Sequence, residues 1–518
     1  MTAPTNPPTH TRSDPAPDPT PVRPGPEART PTSLRRPWLA LAVLCAGNLM
    51  IILDGSIVTV ALPAIQRDLG FGPSGLAWVV NSYLIAFGGL LLLSGRLGDL
   101  LGGRRVFVAG LVVFTLASLA CGLAWTPAAL VAFRFLQGVG GALASAVALG
   151  MIVTLFQGAA ARARALAAYA FVAAAGSSLG LILGGVLTQG LGWRWVFLVN
   201  VPIGVLTLVL TVRAVPVVTG LGLRAGADLV GATLVTGGLM LLVYAILRAE
   251  GHYGTRTWVL LLGSLALLAA FVVRQRSAAR PLLPLRVLRS RNVSGANAVM
   301  VLLVAGLFGF QFCTALYLQN VLGYGALGTG LAFLPAPVTI AVVSLGLSAR
   351  LNRRYGARTV LLVGLALVAG ALALLARVPG DGRYVVDLAP AFVLLGLGFG
   401  AAMPALMGRA MSVASAASET SATTADHAGV ASGLVNTTQQ VGAALGTAVL
   451  ATVAASRTAT LLAEHHSRAD ALTGGFRLAY LCSAAFVTVG LALATLLPRE
   501  PAPARSGTPS AGAAPARR

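Results

Sequence analysis

Asp54 is the one carboxylate that falls deep inside any of the chain's long apolar stretches. A charged side chain at bilayer depth costs about 2.5–3.5 kcal/mol even on the lenient insertion scale, so an acid there is a functional candidate by default. Loss of water favours the neutral form of a carboxyl group, so such an acid can take up a proton and give it back. A group that alternates between neutral and charged can exchange a proton for a substrate. The alternative is a structural Asp, hydrogen-bonded to a neighbouring helix. Arg134 is the only Arg placed well inside an apolar stretch, and small residues follow it in the run RFLQGVGGA (134–142). An Arg cannot release its proton. It can hold a nearby carboxylate ionised; it could also snorkel to the outer interface.

The elements that must carry these two residues are transmembrane helices. Mean hydropathy is +0.83 and charged residues make up only 10% of the 518. No ordinary soluble domain reads this way. About 20 apolar residues span a bilayer core. Fourteen stretches of this kind are expected, at roughly 38–62, 76–96, 105–124, 127–152, 165–190, 196–213, 228–248, 257–273, 293–317, 327–349, 359–377, 387–409, 429–454 and 476–497. Asp54 lies about 22 Å along the first of them from Leu39, past the midplane. Residues 1–36, rich in Pro and Thr, are expected to form a disordered tail, as are residues 499–518. The late, long first helix is not that of a cleaved signal peptide.

Composition removes several function classes. The net charge of +22 comes from Arg scattered through short loops, so no nucleic-acid partner is expected. The chain has no Lys, which excludes a Walker A motif and a lysine Schiff base. No cofactor is expected, and a gradient must drive any uphill transport. Cys45, Cys121, Cys313 and Cys482 are far apart and form no CxxC pattern, so neither disulfides nor a zinc site is indicated. No nucleophile, base or metal cluster sits at membrane depth, which argues against an enzyme. Arg concentrates in alternate loops, such as Arg104–Arg105 and Arg350, Arg353, Arg354 and Arg358. The positive-inside rule then places both termini in the cytoplasm.

An internal repeat orders the helices. Residues 95–111 read GRLGDLLGGRRVFVAGL and residues 349–365 read ARLNRRYGARTVLLVGL, aligning Gly102 with Gly356 and Arg104 with Arg358. The copies join helices 2–3 and 10–11. An offset of eight helices means six, two inserted, then six: residues 37–214, 215–275 and 276–498. Parallel six-helix repeats around a central cavity are the organisation of the major facilitator fold.

The chain resembles a known family in LDGSIVTVALP (53–63), GRLGDLLGGRR (95–105), RFLQGVGGA (134–142), the glycines from Gly176 to Gly185, WRWVFLVNVPIG (193–204) and ASGLVNTTQQVGAALG (431–446). Together these resemble the 14-helix drug:proton antiporter branch of the major facilitator superfamily. The resemblance covers roughly 38–497. It implies an all-α membrane protein with two pseudo-symmetric halves. It ties Asp54 and Arg134 to proton coupling and makes the loop with Gly95, Asp99, Gly102, Arg104 and Arg105 a conformational latch. An ordinary charged turn is the alternative for that loop. Two usual basic positions are Leu100 and Gly103 here, and Arg353 replaces the acid in the second copy. Gly176, Gly180, Gly184 and Gly185 match the stripe that marks antiporters, although Leu181 stands where Pro is usual. Close helix packing explains these glycines equally well. Gly442 and Gly446 are their counterparts in helix 13.

Cavity candidates are Asn48, Asn81, Tyr83, Gln137, Phe310, Gln311, Asn436, Gln439 and Gln440. Helices 7 and 8 lack such residues, with Asp228 and Trp258 at the interfaces, and are read as a peripheral pair. The expected function is proton-coupled export of small hydrophobic drugs or antibiotics across the cell membrane by a monomer. A dedicated exporter of one metabolite, such as a self-made antibiotic, is the rival; an importer is a further one.

Overall fold

The computed structural model describes residues 37–497 apart from 157–158, 218–219, 221, 223–225, 227, 249–254, 279–280, 283–289 and 411–423. Both expected tails lie outside the described residues. Within them the chain is helical, with no strand.

Among the described residues, twelve helices are long and apolar enough to cross a membrane. The first half comprises α1 (Pro37–Leu69), α2 (Pro73–Leu101), α3 (Gly103–Gly122), α4 (Pro127–Leu155), α5 (Ala159–Gly190), the short α6 (Trp195–Leu198) and α7 (Asn200–Ala214). Then come α8 (Leu229–Arg248) and α9 (Thr255–Ser277). The second half holds α10 (Arg291–Asn320), α11 (Ala326–Phe333), α12 (Pro335–Val342), α13 (Ser348–Tyr355), α14 (Ala357–Leu375), α15 (Ala389–Ala410), α16 (Thr424–Ala463) and α17 (Arg468–Thr495). The twelve do not include α5, nor the shorter apolar run Ala326–Val342.

Local chemistry sets the boundaries. Pro73 and Pro127 open α2 and α4, where a missing N–H costs nothing. The Thr126 hydroxyl caps α4 by accepting from the Ala129 amide. Gly102 (φ 92°) and Gly356 (φ 80°) turn the chain between α2 and α3 and between α13 and α14, a left-handed conformation that disfavours other residues. The two copies of the repeat thus share one turn geometry. The stretch expected as one helix at 327–349 is divided at Pro335 and carries a π-helical turn at Val343–Leu347. α16 runs on to Ala463, well past the expected end at 454, because helical propensity persists after the apolar run stops.

Each half is a bundle. α1 packs on α5, α2 and α3 on α4; α10 packs on α16 and α17, and α14 on α15 and α17. The halves meet where α2 packs on α16, α5 on α11 and α1 on α10. At the face opposite the Arg-rich loops they are joined directly. Gln319 donates to the Val60 carbonyl (2.9 Å), and the Leu327 amide donates to Gln189 (3.3 Å). Gly330 lies against the Leu181 carbonyl, where no larger residue would fit.

The inserted pair divides unevenly. α9 packs on α8 and leaves Trp258, Leu262 and Val273 exposed. α8 is not peripheral: it packs on both α2 and α16, at the seam between the halves. Its Thr236 meets Gly89, its Tyr244 ring meets Trp78 (6.2 Å), and its Ile246 carbonyl accepts from Thr452 (3.3 Å). These contacts use a glycine, a ring and a backbone carbonyl, so a search for polar side chains misses them. Asp228 is also buried, and not merely interfacial. It accepts from the Gly231 amide (3.0 Å), Gln275 (2.8 Å) and Arg274 (3.1 Å). Burial alone would raise its carboxyl; the Gly231 amide, Gln275 and Arg274 outweigh that and hold it below the usual carboxylate range.

Candidate coupling site and transport cavity

Asp54 and Arg134, 80 positions apart in sequence, form a buried ion pair inside the first half. Arg134 Nη1 donates to Asp54 Oδ2 at 2.6 Å, with Asp54 0% and Arg134 1% exposed. The other carboxylate oxygen, Oδ1, accepts from Gln137 Nε2 (2.8 Å) and Asn200 Nδ2 (3.0 Å). Gln137 lies one helical turn beyond Arg134 on α4, which brings both side chains to the same face of that helix. Its Oε1 accepts a second bond from Arg134 Nη1 (2.7 Å). Ser118 of α3 accepts from Gln137 (3.0 Å) and Asn200 (3.2 Å) and donates to the Phe197 carbonyl (2.9 Å). Arg134 Nε donates to the Val79 carbonyl of α2 (3.0 Å). The guanidinium carbon lies over two ring faces, Tyr83 at 4.3 Å and Phe197 at 5.7 Å.

Five helices and the short α6 converge on this cluster. Removing a charge pair from water costs several kcal/mol per ion, and such pairs persist when further hydrogen bonds satisfy them. Here three donors hold the carboxylate, so the network is closed around the acid. Neutralising Asp54 would break its strongest tie, the one to Arg134.

A small cavity adjoins the cluster at the junction of the halves. Gly55, Val58, Thr59 and Leu62 of α1, Val80, Tyr83 and Leu84 of α2, and Arg134 form one wall. Phe308, Gln311 and Phe312 of α10 and Thr447 of α16 form the other. Its volume of about 30 Å³ holds about two waters. Asp54 is not on this wall; it sits behind Arg134 and Tyr83.

The structure separates the cavity candidates. Tyr83 and Gln311 line the cavity. Gln137 turns to Asp54 instead, because Oδ1 offers it a charged acceptor. Phe310 turns into the second half, against Phe392 (5.6 Å), Phe333 (6.3 Å) and Tyr480 (6.3 Å). Asn48 and Asn81 are buried. Asn436 is exposed, Gln439 reaches the Met407 sulfur (3.9 Å), and Gln440 packs against Gly88. Ser118, Asn200, Thr59 and Phe308 were not expected. Asn200 had a signal, as a lone amide in the apolar run WRWVFLVNVPIG; Ser118 and Thr59 had none, since hydroxyls are common in such helices.

The glycines pack closely. Gly176, Gly180 and Gly184 lie on Leu49, Leu53 and Ile57 of α1, and Gly185 faces Ala326 and Leu327 of α11. Gly442 and Gly446 lie on Val301 and Ala305 of α10 in the same manner. In the turn at Gly102, Asp99 is 3.7 Å from Arg96, and Arg104 donates to the Val212 carbonyl of α7 (2.6 Å). The Gly222 amide donates to the Leu100 carbonyl (2.9 Å), so the segment before α8 also touches this turn. Gly95 has open space beside it, and Arg105 is exposed.

The sequence matches the Major Facilitator Superfamily over residues 44–447. It is 40% identical over 464 residues to the puromycin resistance protein pur8 of Streptomyces alboniger, covering 89% of this chain and 90% of that one. It is 41% identical over 475 residues to the cephamycin export protein CmcT of Amycolatopsis lactamdurans, covering 91% and 94%. A tetracenomycin C resistance and export protein of Streptomyces glaucescens is 35% identical over 448 residues, covering 86% and 81%. Among solved structures, a bacterial homolog of the human lysosomal transporter Spinster, inward-facing and occupied, superposes with TM-score 0.63 at 14% identity, over 88% of this chain and 96% of that one. The nucleoside transporter NupG superposes with TM-score 0.56 at 14% identity, over 89% and 99%. The chain belongs to the major facilitator superfamily. It is a multi-pass membrane transporter and not an enzyme.

Proposed function

We propose that this transporter exports antibiotics or similar small hydrophobic molecules across the cell membrane in exchange for protons. The observation that carries the reading is the buried Asp54–Arg134 pair, in which Arg134 lines the cavity and Asp54 lies behind it. In this reading Asp54 is ionised and clamped while substrate is taken up. Protonation from outside loosens Arg134, favours release of substrate and resets the carrier. The gradient is the energy source, and no cofactor takes part.

The same reading counts fourteen spanning helices. The twelve are joined by α5 and by the broken run through α11 and α12, giving six (37–214), an inserted two (215–275) and six (276–498). The Arg-rich loops face the cytoplasm with both tails, so contacts such as Gln319–Val60 close the outer side. Asp99 and its turn, with Gly95, Gly102, Arg104 and Arg105, latch the halves when the carrier faces outward. The stripe Gly176, Gly180, Gly184 and Gly185 lets α5 rock against α1 and α11. The protein works as a monomer. One deep acid balances one positive charge, so neutral, zwitterionic or monocationic substrates are favoured over dications.

The relatives are named for puromycin, cephamycin and tetracenomycin C, one antibiotic each, which favours a second reading in which one compound is the dedicated cargo. A panel of antibiotics and monocationic dyes, assayed for accumulation in cells with and without an uncoupler, tests both. Export is expected to lower accumulation several-fold, and the uncoupler to abolish the difference. Export that survives the uncoupler would refute proton coupling. Export of one compound alone would select the dedicated carrier.

A further inference from the structure

We propose that Tyr83 is a positioning residue for coupling: its ring face carries the Arg134 charge through the part of the cycle in which Asp54 holds a proton. This rests on the reading of Asp54 as the proton carrier. While Asp54 is ionised, its carboxylate meets the guanidinium edge-on at 2.6 Å, and the charge is balanced. When a proton binds a carboxylate oxygen, that balance is lost. Arg134 cannot lose its own proton, so a buried cation remains. Two neutral acceptors stay on its N–H groups, Gln137 Oε1 and the Val79 carbonyl. The guanidinium carbon also lies over the Tyr83 ring face at 4.3 Å, within the range where an aromatic face attracts a cation. A ring attracts a lone cation more strongly than one already neutralised by a carboxylate. Tyr83 therefore favours the proton-loaded state over the ion-paired one.

The surroundings support this role. The charged or titratable groups facing Asp54 are Arg134 from α4, Tyr83 from α2 and Cys121 from α3. The short α6 contributes Phe197, α7 contributes Asn200 and α5 brings Gly180 to the adjoining Leu53; none of these carries charge. α10 presents Gln311 across the cavity. Phe197 is farther from the guanidinium, at 5.7 Å, so Tyr83 is the nearer of the two rings. Tyr83 also lines the cavity, so the residue that steadies Arg134 borders the space between the halves.

The test keeps shape constant and varies only the ring's electrons. The full chain is made with Tyr83→Phe and with 4-fluoro-, 3,5-difluoro- and 3,4,5-trifluorophenylalanine at position 83. The readout is the infrared carboxylic-acid band that Asp54→Asn removes, or that Asp54→Glu shifts, followed against pH. Tyr83→Phe should retain the parent's half-protonation point. Successive fluorines should require progressively more acid, about tenfold in proton concentration across the series. A flat series, or one running the other way, overturns the proposal, because a purely structural ring would not respond to fluorine. A parent chain with no titrating Asp54 band removes the coupling reading itself, and this proposal with it. The two failures are therefore distinct.

Discussion

The two halves share a scaffold but fill the same place with opposite chemistry. In the first half, Gly110 of α3 is pressed against the backbone of Gly140 and Ala144 on α4. In the second, Gly364 of α14 is pressed against Gly398 and Ala402 on α15 in the same way. Counting six residues back from Gly140 gives Arg134; six back from Gly398 gives Phe392. α1 brings Asp54 to Arg134, whereas α10 brings Phe310 to Phe392 at 5.6 Å. Phe392 also stacks on Phe333 (5.6 Å) and meets Tyr384 edge-on (6.2 Å). An aromatic cluster holds helices together with nothing that changes charge near neutral pH. An ion pair holds them only while both members are charged. On the proposed reading, this asymmetry makes the first half the one whose packing responds to protons, and the second a more constant partner.

The largest expected effect comes from emptying the first half of one charge. Asp54→Leu leaves Arg134 buried without its counterion and should cost about 3–5 kcal/mol of stability. Adding Arg134→Met should recover most of that loss, since an apolar filling then resembles the second half, while transport stays absent. Thermal unfolding of the two variants in detergent measures both. A double variant as unstable as the single one would break the comparison, because the pair would then do more than balance charge. A smaller effect is expected on the other side. Phe392→Leu should cost about 1–2 kcal/mol by loosening the aromatic cluster, yet leave the pH dependence of export unchanged. A shifted pH profile in that variant would mean that the second half also takes part in coupling.

Much of this was legible in the sequence. Asp54 and Arg134 stood out because a charge in an apolar stretch has no inexpensive explanation. The repeat and the glycine spacing were visible because close packing and the left-handed turn leave few residue types free. Their mutual contact was not visible, since residues 54 and 134 meet only through the packing of α1 on α4. The fate of Gln137 and Phe310 depended on which neighbour each faced, a tertiary fact that their polarity or size does not encode. The seam contacts of α8 are hidden in the sequence for a related reason: they use Thr236, Tyr244 and a carbonyl, groups that look ordinary in any membrane helix.

On the proposed reading, the first half's carboxylate carries the proton that drives export. Purified protein in liposomes, with a pH gradient imposed across the membrane and ethidium as the probe, tests it most directly. The parent chain should move ethidium against its concentration gradient until an uncoupler collapses the pH difference. Asp54→Asn, reconstituted to the same level, should only let ethidium equilibrate. Uphill movement of ethidium by Asp54→Asn, still driven by the pH gradient, would contradict the account.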